Sequence, residues 1–509
     1  MPRVIVIGAG HNGLVAAIRL AEHGLDVTVL EHAPAPGGAT ASAEVTVPGF
    51  VHDLCAGFVP MAMASPALRA LRLEREGVAF VNPPIAMAHP FEDGSAIALH
   101  RDVAATVESL GVAGSGWEAA MREVLPHADA LVSALLSPLP PVGPGLRAAA
   151  GLRRDLPRWA RRLLGPVDAL GLELFDGDNR ASAWLAGSAQ HTGLPPTTTA
   201  SGAFGFVLQL LAHRHGWPIV RGGTGRLVDA LVRRAERAGV RVRCGAPVKE
   251  IQVARGRVAG VVLASGETVD AGAVVSTVSA RVLGRLVPEG ALPGGVHRRL
   301  RGWRHRTGAF KLDYALAAPM PWAAEEARGA AVVHVGGSLD ELADAASAGW
   351  RGEVPQRPAL VVGQQSLFDT TRAPAGAHTL YVYAHVPAQQ YAEDDERVAE
   401  LIEAQLERFA PGFSSTVVAR AIRPPFQAEA ENPSQVGGDI AGGSYELDQQ
   451  LVFRPSPSMS RYRTPLRGLY VAGASVHPGG AVHGISGRGA ADALLRDRRL
   501  RPWRAAARG

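Results

Sequence analysis

Cysteine is nearly absent from this sequence: Cys55 and Cys244 are the only two in 509 residues, far apart and in no CxxC spacing. A disulfide framework is excluded, and a reducing cytoplasm is the expected setting. Lysine is as scarce. Of 52 basic residues, only Lys249 and Lys311 are not arginine. The formal charge of +5 is spread along the whole length. No basic stripe with interleaved aromatics occurs, so nucleic acid is not an expected partner. No apolar run reaches the roughly 18 residues of a membrane span. The opening MPRVIVIGAG is too short an apolar run for a signal peptide and leads straight into a glycine turn. His213 and His215 have no third ligand at useful spacing, and no HExxH occurs, so no metal site is expected. No GxSxG stands at a strand-to-helix elbow, which excludes that hydrolase class.

What is present is a long, globular chain. Hydrophobic residues make up 47% and charged residues 19%, enough for two domains with separate cores. Val4 to Ile7 reads as a buried strand, 12–23 as a helix closed by Gly24, and Val27 to Leu30 as a second strand. Between the first strand and the helix stands Gly8-Ala9-Gly10-His11-Asn12-Gly13. Gly8 permits the turn, Gly10 lets the backbone approach a pyrophosphate, and Gly13 allows close helix–strand packing. The helix N-terminus adds free N–H groups for the phosphates. Glu31 ends the second strand, where a carboxylate grips a ribose hydroxyl pair and repels a 2′-phosphate. Gly37 and Gly38 follow soon after, a pairing typical of FAD proteins of the glutathione reductase type and missing from plain NAD dehydrogenases.

Two further glycine-rich units lie downstream. Gly222-Gly223-Thr224-Gly225 precedes an expected helix over 226–238, with strands at 240–243, 248–253, 258–263 and 274–278. Near the end, a strand at 468–472 delivers the loop beginning at Gly473, and a helix is expected over 482–496. Such a helix start can face the flavin N1/C2=O edge, where reduced flavin carries negative charge.

Here the chain resembles the phytoene desaturase and carotenoid isomerase group of FAD-dependent oxidoreductases, including the pyridine nucleotide-disulphide oxidoreductase domain 2 proteins. The resemblance covers most of the length. It is most specific in VIVIGAGHNGLVAAIRLAEHG, RGGTGRLVDALVRRAERAGV, GGDIAGGSYELDQQLVFRPSP and GLYVAGASVHPGGAVHGISGRGAADALL. It implies that Gly8, Gly10 and Gly13 hold the pyrophosphate, Glu31 the adenosine ribose, and Gly37 and Gly38 the middle of FAD. Val248 would present its backbone to adenine. Gly473 and Ala474 would lie by the ribityl–phosphate region, and Val482, His483 and Gly484 at the isoalloxazine. Many relatives in the wider superfamily carry an acid where this chain has Ala474.

The expected fold is α/β: a glutathione reductase-type, Rossmann-like FAD domain with an inserted α+β substrate domain. The FAD domain would take residues 1–60, 215–285 and 455–509, and the substrate domain 61–214 and 286–454. Only one dinucleotide fingerprint occurs, so no NAD(P)H domain is expected. The expected activity is hydride removal from a largely apolar molecule, with reoxidation by oxygen, a quinone or another acceptor. The alternatives are a redox-neutral isomerase requiring reduced FAD, and a non-catalytic flavin-binding protein. Flavin carries hydride chemistry itself. His477 and His483 flank the expected flavin loop and are candidates to bond flavin or take a proton, or only to brace the loop. Lys311 is the third candidate: in a chain that otherwise uses arginine, it stands in the strand-like FKLDY, either exposed or near flavin N5 as in amine oxidases of the superfamily. The apolar stretches 58–63 and 203–211 line a tunnel or form ordinary core. The arginine-rich stretch 147–162 reads as one amphipathic helix, either solvated or touching a membrane surface. The basic tail from Arg496 is expected to fray.

Overall fold

The computed structural model describes residues 3–388 and 395–500. Five strands form a parallel sheet in the order β7-β4-β1-β2-β3, where β1 is Arg3–Ile7, β2 Asp26–Leu30, β3 Arg241–Arg243, β4 Ala273–Ser276 and β7 Leu469–Val471. All four residues of β4 and Val4 to Ile7 of β1 are buried, as strands covered on both faces must be. Helix α1 (His11–Ala21) connects β1 to β2 and buries Leu14, Val15, Ile18 and Leu20. Its chain then turns at Gly24, which has a positive φ of 76°. Helix α2 (Gly225–Arg237) leads into β3, and α4 (Ile485–Leu500) follows β7. Three antiparallel strands, Val248–Ala254, Arg257–Leu263 and Thr268–Asp270, form a separate small sheet before β4.

A second, seven-stranded sheet is mainly antiparallel. Its order is Val417–Arg423, β5 (Thr307–Leu316), β6 (His378–Pro387), Leu360–Gly363, Ala330–Val335, Ile85–Pro90 and Ala96–His100. Every residue of β5 is buried. Phe310, Leu312 and Tyr314 point into one apolar cluster with Trp322 and Phe413. On the other side of the sheet Ala309, Val332, Val361, Tyr381 and Tyr383 pack in a cluster with a helical layer that includes Gly114–Val124, Asn179–Ala189 and Ser201–His215. Trp117, Trp184 and Phe206 interlock there, with Trp117 meeting Trp184 edge-on at 5.2 Å.

Two expectations need correction. The stretch 147–162 is not one helix: Val142–Leu152 ends at Arg153, whose φ is +45°, and Leu156–Leu164 starts anew. Pro157 has no N–H to continue an earlier helix and its ring blocks the preceding turn. Arg158, Arg161 and Arg162 of the second helix pair with Glu123, Asp155 and Glu173, so much of its basic face is neutralised from within. At the C-terminus, 496–500 continue α4, and 501–509 lie outside the described residues. No helix among the described residues is long and apolar enough to cross a membrane.

The helical side of the large sheet buries an unusual set of imidazoles. His191 and His334 share an Nε2–Nε2 hydrogen bond of 2.9 Å, and the Tyr383 hydroxyl meets His191 Nδ1 at 2.9 Å. Burial pushes His89, His213 and His385 down to about 4 and His191 to about 3, from an ordinary 6.5. His334 falls well below that ordinary value for the same reason. Below pH 6.5 the unfolded chain therefore binds protons that the folded chain refuses. Stability is full above about 6.5 and falls as the pH drops towards 4, at up to about 1.4 kcal/mol per pH unit for each imidazole. The thermal midpoint should be level above pH 7 and drop steeply between pH 6.5 and 4. A level midpoint down to pH 5 would contradict this account.

Candidate active site

A cavity of about 520 Å³ runs along the C-terminal edge of the parallel sheet. Its wall is made by residues that leave the three central strands and one edge strand: Gly8 after β1, Glu31 after β2, Thr277 after β4 and Gly473 after the edge strand β7. Strand β1 lies between β2 and β4, so the chain diverges to both sides here, which is where open α/β sheets bind ligands.

The residues present fit an adenine dinucleotide. Gly13 and Gly10 differ in what requires them. A Cβ on Gly13 would stand 1.9 Å from the Gly8 carbonyl oxygen, so packing alone excludes a side chain. A Cβ on Gly10 would meet nothing nearer than 3.8 Å, and its φ of −73° suits any residue. The fold itself does not require glycine at Gly10. Gly10 is also the N-cap of α1, with no side-chain cap and no acid in the first turn, so the helix presents its N–H groups to the cavity. The Glu31 carboxylate accepts from Ala9 N at 2.6 Å and Ala33 N at 2.9 Å. These bonds fix it in the cavity wall with lone pairs left for hydroxyl donors.

Gly8, Gly10, Gly13, Glu31, Gly38, Val248, Gly473 and Ala474 all line this one cavity. Gly37 lies directly behind, bridged to Gly10 and donating its N–H to the Ala9 carbonyl at 3.2 Å. Val482, His483, Gly484 and His477 are not on the wall. Both His483 nitrogens serve their own loop: Nδ1 accepts from Ile485 N at 3.0 Å, leaving Nε2–H to donate to the Gly479 carbonyl at 3.1 Å. Burial holds His483 down to about 3 and His477 to about 4, so both rings are neutral. His477 Nε2 donates to the Ser137 carbonyl at 3.0 Å.

Lys311 is also off the wall, but only one residue behind it. It is 3% exposed, ion-paired with Asp313, and its ammonium lies 4.4 Å from the Tyr381 ring centre. The Tyr381 hydroxyl donates to the carbonyl of Cys55, which does line the cavity. Burial lowers the Lys311 pKa while Asp313 opposes it. Burial alone would raise Asp313, but Lys311 and His52 outweigh it and hold the carboxyl below the usual range.

Sequence reasoning missed the inner end of the cavity, where Cys55, Arg423, Gln435 and Asp439 stand. Asp439 accepts from Ala441 N, Gly443 N and His305 Nδ1 at 2.6 to 2.7 Å. It sits in the GGDIAGG segment and could have been noticed; Arg423 is one arginine among many. Arg454 was missed as well. It is fully buried, pairs with no carboxylate among the described residues, and donates to the carbonyls of Ala441, Gly443, Ser444, Gln449 and Ala474. It thereby ties the loop at Gly442 to the loop at Ala474, both on the cavity wall.

The family model for flavin containing amine oxidoreductases matches residues 13–495. The chain is 29% identical to pyridine nucleotide-disulfide oxidoreductase domain-containing protein 2 of Rattus norvegicus, over 97% of this chain and 93% of that one. It is 30% identical to hydroxyneurosporene desaturase of Cereibacter sphaeroides, over 98% of each. A solved putrescine oxidase variant superposes with a TM-score of 0.65 at 18% identity, over 98% of this chain and 99% of that one, and shares the fold. These matches make the chain a member of the flavin-containing amine oxidoreductase family and an FAD-dependent oxidoreductase.

Proposed function

We propose that the enzyme is a dehydrogenase or desaturase that removes a hydride from a largely apolar organic molecule and is reoxidised by oxygen, a quinone or another acceptor. In this reading residues 1–60, 215–285 and 455–509 form the cofactor unit, and 61–214 and 286–454 the substrate unit. Bound FAD supplies the hydride acceptor. The chain's own residues bind it, orient the substrate and exclude water. Gly8, Gly10, Gly13 and the start of α1 hold the pyrophosphate; Glu31 holds the ribose; Gly38 and Gly473 give the backbone room to lie against the cofactor. The observation that carries the substrate class is a small apolar cluster of Leu194, Ala441 and Tyr445, with Phe204 and Trp350 packed on it. It adjoins Ile440 and Gly442 of the cavity wall. The desaturase relative supports the same class. Lys311 is read as the group that holds or moves a proton beside the inner end, and the neutral His477 and His483 as loop braces.

Anaerobic mixing of the yellow holoenzyme with a panel of apolar alkenes, terpenoids and amines tests the reading directly. An apolar member should bleach the flavin absorbance; bleaching by small polar amines alone would sink it. Gly10→Ala should fold with a thermal midpoint within a few degrees of wild type yet retain little FAD. Gly13→Ala should fail at the level of folding, because its methyl overlaps the main chain. Equal FAD content in purified Gly10→Ala and wild type would refute the assignment of Gly10. Lys311→Met should slow turnover by about 10²-fold or more. Because it leaves Asp313 buried with only His52 beside it, Lys311→Met/Asp313→Asn serves as the folding control. Unchanged turnover and unchanged reoxidation by oxygen in both variants would remove Lys311 from the mechanism.

A further inference from the structure

A pocket of about 870 Å³ lies across a shared wall from the cofactor cavity. Helix α3 (Ala280–Leu286) forms part of that wall, turning Val282 and Leu286 to the cavity and Arg281 and Arg285 to the pocket. The segment 429–440 forms the rest, with Asp439 on the cavity side and Glu429 and Gly437 on the pocket side. Five arginines line the pocket: Arg281, Arg285, Arg306, Arg351 and Arg397. Glu429 is the sole carboxylate among the described lining residues, and one of its oxygens accepts from the Gly437 N–H at 2.7 Å. Arg306 pairs with Glu446 and Arg351 with Glu353. Among the described residues, Arg281, Arg285 and Arg397 pair with no carboxylate.

One buried donor in this wall has no hydrogen-bond partner among the described residues, Arg281 Nε. His305 also lines the pocket and donates its Nδ1–H to Asp439 at 2.7 Å. Unsatisfied buried polar groups are rare because they are costly. Guanidinium groups recognise oxyanions through paired, charge-assisted hydrogen bonds. The pocket is not purely polar: Trp350 lines it, under the Arg306 guanidinium at 5.1 Å, and also packs on Leu194, Ala441 and Tyr445. The arginines thus stand at one end of an apolar strip whose other end adjoins the cofactor cavity.

We propose that this pocket binds the anionic head, a carboxylate or a phosphate, of an amphiphile whose apolar body lies along Trp350, Leu194 and Tyr445. The body's direction towards the cavity rests on the apolar-substrate reading; the head-group site stands on the arginines alone. Calorimetric titration of the FAD-loaded enzyme with octanoate, octyl phosphate and 1-octanol tests it, with inorganic phosphate as competitor. At least one anionic ligand should bind at least tenfold more tightly than 1-octanol, weaken as salt rises and yield to inorganic phosphate. Preference between octanoate and octyl phosphate identifies the head. Arg281→Gln should weaken that ligand about tenfold or more, as should the exposed Arg285→Gln, which is the safer variant for folding. Neither should change 1-octanol binding, and Arg158→Gln on a distant helix should change nothing. Equal affinity for 1-octanol and the anions, or unaltered anion affinity in both pocket variants, overturns the proposal. Anion binding without any flavin bleaching would sink the hydride reading and leave the pocket standing; bleaching with no anion binding would do the reverse.

Discussion

Main chain lies directly against main chain at three points around the cofactor cavity, and the rest of the site depends on those approaches. A Cβ on Gly13 would stand 1.9 Å from the Gly8 oxygen, one on Gly487 1.9 Å from the Asn12 oxygen, and one on Gly473 2.2 Å from the Thr277 oxygen. The first seats α1 on its own strand. The second seats α4 on α1. The third joins the loop after β7 to the loop after β4. Together they bring segments from the start, middle and end of the chain into one wall, without side chains filling the space between. Glycine is weakly favoured in any single element, so the fold depends on the large buried core around these contacts to hold them closed.

Buried charge locks the loops that this close packing assembles. Arg372 is 1% exposed and bonds Asp53, Asp369 and the Val220 carbonyl. Asp53 also accepts from Thr224 N and from Ser42 Oγ, and Asp369 accepts from Gly222 N. One guanidinium therefore ties the GGTG turn before α2 to the loop after Gly38 and to the chain before β6. Such a pair adds little net stability over an apolar substitute, but losing one partner leaves a buried charge uncompensated. Its effect is to exclude other arrangements of these loops. Arg454 works by the same physics with five carbonyls in place of a carboxylate, and burial lowers its pKa accordingly.

The cofactor half was legible because its chemistry is carried by backbone and by local pattern. A strand, a glycine turn, a helix and a terminal acid stand in order within about thirty residues, and each has its own physical reason. The inner end was not legible. Cys55, Arg423, Gln435 and Asp439 come from distant segments and meet only through the tertiary fold. His477 and His483 drew notice as titratable groups near a flavin loop, yet sequence cannot show that their nitrogens are already bonded to carbonyls and a backbone N–H. The single basic helix over 147–162 failed on a local rule that was visible, Pro157.

Lys311 shows why the same alternation can carry two meanings. The run Phe310, Lys311, Leu312, Asp313, Tyr314 alternates apolar and polar, which in an antiparallel sheet ordinarily marks one core face and one solvated face. Here both faces are buried. One packs on Trp322 and Phe413. The other carries Lys311 and Asp313, joined on the adjacent strand by Tyr381, Tyr383 and His385. A polar face that is covered rather than wet must find partners internally, and this one has an ion pair, a cation–ring contact and a hydroxyl turned to Cys55, while Asp313 Oδ1 and His385 Nε2 have no hydrogen-bond partner among the described residues. The two possibilities are identical in sequence. Only the segment from His52 to Cys55, packed against this face through the His52–Asp313 and Tyr381–Cys55 contacts, makes the difference between a surface lysine and one buried beside the cavity.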